Sequence, residues 1–126
     1  MAIEDDAVTP IRNERFRAIQ SARMEGSLFL AVSKFRVANG MSGEVRDAFV
    51  GRPHLVDGAD GFVRMEVLSP LDDRDEFWLL TYWTDEASFR AWHAGHMYRE
   101  SHAGIPRGLK LDAAATQLRF FEKIAD

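Results

Sequence analysis

Side chains that can titrate near neutral pH or bind a transition metal are concentrated in one short stretch of this chain. Between Phe89 and His102 lie three of its four histidines, together with a tryptophan and a tyrosine. Imidazole changes its charge near neutral pH and is a common metal ligand. Packing alone seldom needs such a density of these residue types. The stretch is therefore the first candidate for a functional site.

The histidines of this stretch allow more than one interpretation. His102 stands shortly before Gly104, where a predicted helix ends and an imidazolium can cap the last carbonyls. The alternative is a single axial ligand to haem iron, which requires a neutral imidazole in an apolar cavity. A zinc site made by His93, His96 and His102 is disfavoured, because no carboxylate stands at a spacing that converges on them.

Composition excludes several classes of protein. A length of 126 residues predicts one domain, large enough to bury a core without disulfides. The chain has no cysteine, which excludes thiolate nucleophiles and cysteine-ligated metal centres and is compatible with the cytoplasm, where we expect the protein to reside. The net charge of −4 disfavours nucleic acid as a partner. No apolar run approaches the roughly 18 residues of a membrane span, so no membrane is expected as a partner.

Hydrophobic periodicity after residue 27 predicts a regular order of elements. Strands are expected at 28–37, 62–68, 77–83 and 115–124, and Val63, Met65 and Val67 should share one face of the second. Helices are expected at 42–51 and from 85 to 94, and a second short helical piece at 96–103 after Gly95. This order is the split βαβ arrangement of a ferredoxin-like α+β fold, with an antiparallel sheet and helices on one face. A ligand pocket is expected between the second helix region and the sheet.

The first residues of the chain follow a different pattern. We divide it into an N-terminal extension, 1–26, and a domain, 27–126. Thr9 and Pro10 read as the start of a short helix at 10–24, although its apolar residues do not form a clean helical stripe. The extension is therefore interpreted as a helical arm or as a disordered segment.

Three stretches of the domain resemble the antibiotic biosynthesis monooxygenase (ABM) superfamily. They are GFVRMEVL at 61–68, FWLLTYW at 77–83, and DEASFRAW at 85–92 followed by His102. Within that superfamily, Phe89 and Trp92 with a histidine ten residues later are similar to the IsdG-like haem-degrading monooxygenases. The resemblance covers about residues 27 to 126.

This resemblance implies a homodimer whose two sheets form a dimeric α/β-barrel, with haem b as both cofactor and substrate. It implies that His102 is the axial ligand of the haem iron and that Trp92 presses on the ring. The family places an asparagine on the first strand where this chain has Ser33, whose hydroxyl can donate only one hydrogen bond. Phe89, Tyr98 and Arg99 are candidate haem-binding residues, and Arg99, Arg107 and Lys110 are candidate cations for the propionates. An external electron donor is expected.

Two further interpretations stay open. The wider superfamily includes monooxygenases that need no cofactor and act on aromatic or quinol-like small molecules, in which case Trp92, His96 and Tyr98 would line the pocket and a histidine or tyrosine would handle the proton. The same pocket would also suffice for a haem-binding protein without turnover.

Overall fold

The computed structural model of the protein describes residues 28–95 and 104–126. Its strands are β1 (Phe29–Arg36), β2 (Phe62–Leu68), β3 (Glu76–Trp83) and β4 (Gln117–Glu122), and its helices are α1 (Ser42–Val50) and α2 (Glu86–His93). A short 3-10 turn, Leu55–Gly58, connects α1 to β2. The helix expected at 10–24 and the helical piece expected at 96–103 lie outside the described residues.

The four strands form one antiparallel sheet in the order β2-β3-β1-β4. The ferredoxin-like topology is therefore confirmed, because β3 lies between the two strands that α1 connects. In the register, Ser33 of β1 lies opposite Leu79 of β3 and Leu118 of β4. Since side chains alternate between the two faces of a strand, these three residues share the face that packs against the helices.

The hydrophobic core lies between that face and the helices in two clusters. One joins Trp83, Phe89 and Ala31 near α2, and Phe62 and Met65 pack against it. The other joins Val37, Val45 and Phe77 near α1. Each helix therefore packs on the sheet through its own hydrophobic cluster. The space between the two clusters can hold a cavity.

Two sequence expectations need correction. A β-bulge between Phe62 and Arg64 shifts the register of β2, so Phe62, and not Val63, joins Met65 in the core. The last strand begins at Gln117 and not at residue 115, because Ala113–Ala115 forms a 3-10 turn. The Asp112 carboxylate caps that turn by accepting a hydrogen bond from the Ala114 amide.

The turn before β2 requires glycine at position 61. Gly61 has a φ of +81°, and a β carbon there would clash with Ser88 Oγ and would lie 2.8 Å from Thr84 Oγ1. Ser88 lies in the first turn of α2 and Thr84 directly precedes its cap residue, so Gly61 lets this turn approach the helix closely.

Gly61→Ala is expected to lower the free energy of unfolding by about 2 kcal/mol, through left-handed strain and the displacement of Ser88. Urea denaturation of the two proteins measures it. Gly58→Ala is the matched control, because no atom lies within 4 Å of a β carbon at Gly58. Equal losses in the two variants would show that the close approach at Gly61 has no special role.

Candidate functional site

A cavity of about 390 Å³ lies between the helix-facing side of the sheet and the two helices. This volume falls within the range of small-molecule sites. Its floor comes from alternate residues of all four strands: Ala31, Ser33, Phe35, Met65, Leu79, Thr81 and Leu118. The floor is apolar except for two hydroxyls. The pocket expected between the second helix region and the sheet is therefore confirmed.

The aromatic wall of the cavity belongs to α2. This helix begins after Asp85, whose carboxylate accepts a hydrogen bond from the Ser88 amide at 2.7 Å. That backbone hydrogen bond lowers the pKa of Asp85 below its ordinary value, so the cap stays ionised at neutral pH. Phe89 and Trp92, three residues apart, consequently face the sheet on one side of the helix.

Trp92 is held by the core while it lines the cavity. Its ring centroid lies 5.9 Å from that of Trp83, which is fully buried. Phe89 is also buried, with its ring 5.7 Å from Trp83. Trp92 itself is half-buried. Trp92 therefore packs against the core and lines the cavity at the same time.

Ser33 and Thr81 supply the two hydroxyls of the floor. Ser33 Oγ makes no hydrogen bond to any residue that the structure describes, so it is available to a ligand. Thr81 Oγ1 accepts a hydrogen bond from Trp83 Nε1 at 2.9 Å and donates a long one, 3.4 Å, to the Ala31 carbonyl. Thr81 was not a sequence candidate, although its alternation with Leu79 and Trp83 on β3 could have indicated it.

The structure brings together three of the predicted site residues: Ser33, Phe89 and Trp92. The candidates His96, Tyr98, Arg99 and His102 lie outside the described residues. Arg107 and Lys110 are exposed and do not line the cavity. Asn39, the asparagine that follows the first strand, does not line the cavity and cannot replace the family asparagine, because its amide donates to the Gly108 carbonyl at 2.8 Å. His93 does line the cavity.

The rim of the cavity carries charged groups that the sequence analysis missed. Arg52 and His54 line the cavity, and both interact with the Asp57 carboxylate. The sequence analysis predicted only that the first helix of the domain ends at residue 51, directly before this segment. An arginine and a histidine on either side of a proline, directly after a helix, were the available signal.

No group of three or more metal-ligating side chains occurs in the described part of the chain. Among residues 28–95 and 104–126 there is also no helix of the length and apolar character that a bilayer span requires.

The profile of the antibiotic biosynthesis monooxygenase family matches residues 28–104, which contain α1, α2, three strands and most of the cavity wall. The chain belongs to this family. As an ABM protein it is a monooxygenase, and the apolar cavity beside α2 is its candidate active site.

Curated relatives and solved structures agree with this assignment. The ABM chain is 27% identical over 73 residues to a heme oxygenase (mycobilin-producing) of Mycobacterium tuberculosis, an alignment that covers 52% of this chain and 70% of the relative. The heme-degrader MhuD of the same organism, solved with two hemes bound in its active site, has a TM-score of 0.63 at 24% identity over 78% of this chain and 97% of its own. SnoaB, a cofactor-independent oxygenase from Streptomyces nogalater, has a TM-score of 0.56 at 20% identity over 76% and 90%. At these identities the solved structures establish the fold alone.

Proposed function

We propose that this ABM monooxygenase degrades haem, opening the porphyrin ring by oxidation and releasing its iron. The observation that carries the proposal is the position of Trp92, which packs against the core and lines an apolar cavity whose floor comes from all four strands. The mycobacterial heme oxygenase among its relatives supports the same substrate.

The residues that line the cavity suit haem. The floor and the wall of the cavity consist mainly of aliphatic and aromatic side chains. Such side chains can pack against the apolar faces of a flat macrocycle, and the burial of those faces is favourable. Arg52 on the rim can supply positive charge to a propionate carboxylate, and the His54 imidazole can donate a hydrogen bond to it. Haem would supply an iron that binds dioxygen and a ring that is itself oxidised, with electrons from an external donor.

The proposed role of each side chain follows from its chemistry. His102 is proposed as the axial ligand, through a neutral imidazole nitrogen. Trp92 is proposed to press on the macrocycle and fix its position, while Phe89 packs against the same Trp83 ring as Trp92 does. Ser33 is proposed to donate one hydrogen bond toward the reacting oxygen. Tyr98 and Arg99 remain proposed haem-binding residues.

Aerobic turnover of hemin tests the proposal. The purified protein is titrated with hemin, and ascorbate is then added in air with catalase and an iron chelator present. We expect a saturable Soret band that disappears as chelated iron accumulates, and a band that persists under argon. A band that persists in air would indicate haem binding without turnover and would contradict the proposal.

A second candidate function is the oxidation of an ionisable aromatic compound without a cofactor. The imidazole of His54, paired with a carboxylate on the cavity rim, favours it because such a reaction needs a base and no metal. Oxygen uptake with dithranol, a tricyclic phenol, in metal-free buffer tests this candidate. Uptake that depends on the protein in the absence of hemin is expected if it holds.

We also propose that two copies of the chain associate through the sheet face that points away from the helices. This face carries large apolar side chains, of which Trp78, Leu68 and Phe121 are 36%, 52% and 40% exposed. Such a patch on a small domain indicates an interface. Light scattering should give twice the chain mass of 14.3 kDa, and a single chain mass at micromolar concentration would contradict the proposal.

A further inference from the structure

A second concavity lies beside α2 and is distinct from the candidate active site. This groove has a volume of about 560 Å³ and runs between α2 and the turn before β2. The exposed residues Ala87 and Ala91 belong to its helical wall, and Ala59 and Asp60 belong to the opposite wall. Trp92 lines the groove as well as the cavity, so its side chain borders both spaces. A segment bound in the groove would therefore also contact this residue of the candidate active site.

One end of the groove is negatively charged. Asp60 and Asp85 line it close to the start of α2. The Asp85 carboxylate caps the helix by accepting a hydrogen bond from the Ser88 amide. Asp60 is exposed and makes no hydrogen bond or ion pair with any residue that the structure describes. Two carboxylates next to small apolar side chains fit a partner that offers a cation beside bulkier apolar groups.

The described part of the chain begins near this end of the groove. Leu28 is buried directly before β1. Phe29 pairs with Trp83, which in turn pairs with Phe62, so two strand spacings, about 10 Å in all, separate Phe29 from Phe62. Asp60 precedes Phe62 by two residues. Because an extended residue covers about 3.4 Å, about four residues before Leu28 suffice to reach Asp60.

The chain segment before β1 has a matching pattern. Residues 10–24 contain four arginines and one carboxylate. In the helix that the sequence predicts there, Arg12, Phe16, Ile19 and Arg23 recur at intervals of four, three and four residues and therefore share one face. Two large apolar side chains on that face are thus flanked by two cations. The second of these cations is the one nearer to β1.

We propose that the N-terminal arm, residues 10–24, docks as a helix in this groove of its own chain. Phe16 and Ile19 then lie against the small side chains of α2, where their burial is favourable, and Arg23 lies beside Asp60. The arm runs antiparallel to α2, because its C-terminal end must lie where α2 begins. A second copy of the domain is not the occupant, since the face proposed for association of two copies is on the other side of the sheet. The proposal does not depend on what the cavity binds.

Cysteine cross-linking tests this position, because the chain has no cysteine of its own. Gln20→Cys, which flanks the face that carries Phe16 and Ile19, is combined with Ala87→Cys or with Ala91→Cys, one helical turn apart in the groove. The full-length proteins are treated with oxidised glutathione, and non-reducing electrophoresis separates a bond within one chain from a bond between two. Since a disulfide requires Cα atoms within about 7 Å of each other, we expect one of the two pairs to form rapidly within a single chain.

Ser21→Cys is the matched control for Gln20→Cys. The two positions have nearly the same tether to the sheet, but residue 21 lies on the opposite side of the predicted helix. Its bond to either groove position should form at least about tenfold more slowly. Equal rates for the two arm positions would overturn the proposal. A bond that forms only between chains would also overturn it, because the groove would then hold the arm of a second copy.

Trypsin cleavage gives a second readout that needs no engineered bond. The arginines of residues 10–24 are cleavage sites, and a docked arm is cut only while it is out of the groove. Ala91→Gln fills part of the groove with a side chain that suits a helix, so its arm should be cut at least about tenfold faster than that of wild type. Ala94→Gln is the control, because Ala94 lines neither the groove nor the cavity, and it should behave as wild type does. A wild-type arm that is cut as fast as that of Ala91→Gln would overturn the proposal.

Discussion

The His102→Ala variant is expected to lose tight, saturable binding of hemin, with the affinity falling at least about a hundredfold. The reason is that one imidazole nitrogen is proposed as the only bond from the protein to the iron, and outer-shell interactions alone tune such a site by about 10–100-fold. Absorption titration measures the effect, because an iron–imidazole bond determines the position and the intensity of the Soret band.

His93→Ala is the control for this variant, because His93 is the histidine of the same stretch that the structure places on the cavity wall. It should bind hemin as wild type does. If His93→Ala loses the band while His102→Ala keeps it, the ligand assignment is wrong and the iron is bound from α2.

The Trp92→Ala variant is expected to retain bound hemin but to degrade it at least about tenfold more slowly. Removing the indole leaves space beside the macrocycle, and misplacement of a reacting group by about 1 Å can cost about a hundredfold in rate. The decay of the Soret band after ascorbate addition measures the rate, and the titration before that addition measures the affinity.

Loss of packing must be separated from loss of positioning in this variant. Trp92 packs against Trp83, so its truncation should also lower the free energy of unfolding, by about 2 kcal/mol for a half-buried ring. Trp92→Phe keeps an aromatic ring on that contact and should recover most of the stability and part of the rate. A Trp92→Ala protein that degrades hemin at the wild-type rate would remove Trp92 from the proposed mechanism.

The fold could be predicted from the sequence because the hydrophobic alternation of the strands is strong. Phe29, Ala31, Ser33 and Phe35 reappear on the helix-facing side of β1. The prediction that Val63 faces the core was wrong for a local reason, because a β-bulge turns Phe62 toward the core instead. No residue type predicts a β-bulge reliably. The 3-10 turn at Ala113–Ala115 was missed because alanine fits strand, helix and turn with little local preference.

The site could be predicted only in part. Trp92 and Phe89 could be predicted because aromatic residues three positions apart lie on one side of a helix. Ser33 could be predicted because the resemblance to the family places an asparagine at its position. The rim was missed because a loop, Arg52 to Asp57, creates it through side-chain pairing and a left-handed residue at His54. Such a conformation depends on tertiary context and leaves no periodic signal.

The most direct test of the central claim is the mass of the tetrapyrrole recovered after hemin turnover under isotopically labelled dioxygen. Hemin-loaded protein is reduced with ascorbate in the labelled gas with catalase present, and the pigment is extracted for mass spectrometry. A haem-degrading monooxygenase should yield a ring-opened, iron-free tetrapyrrole that carries the label. Recovery of intact hemin would contradict the proposed function, as would a ring-opened product that forms equally well without the protein.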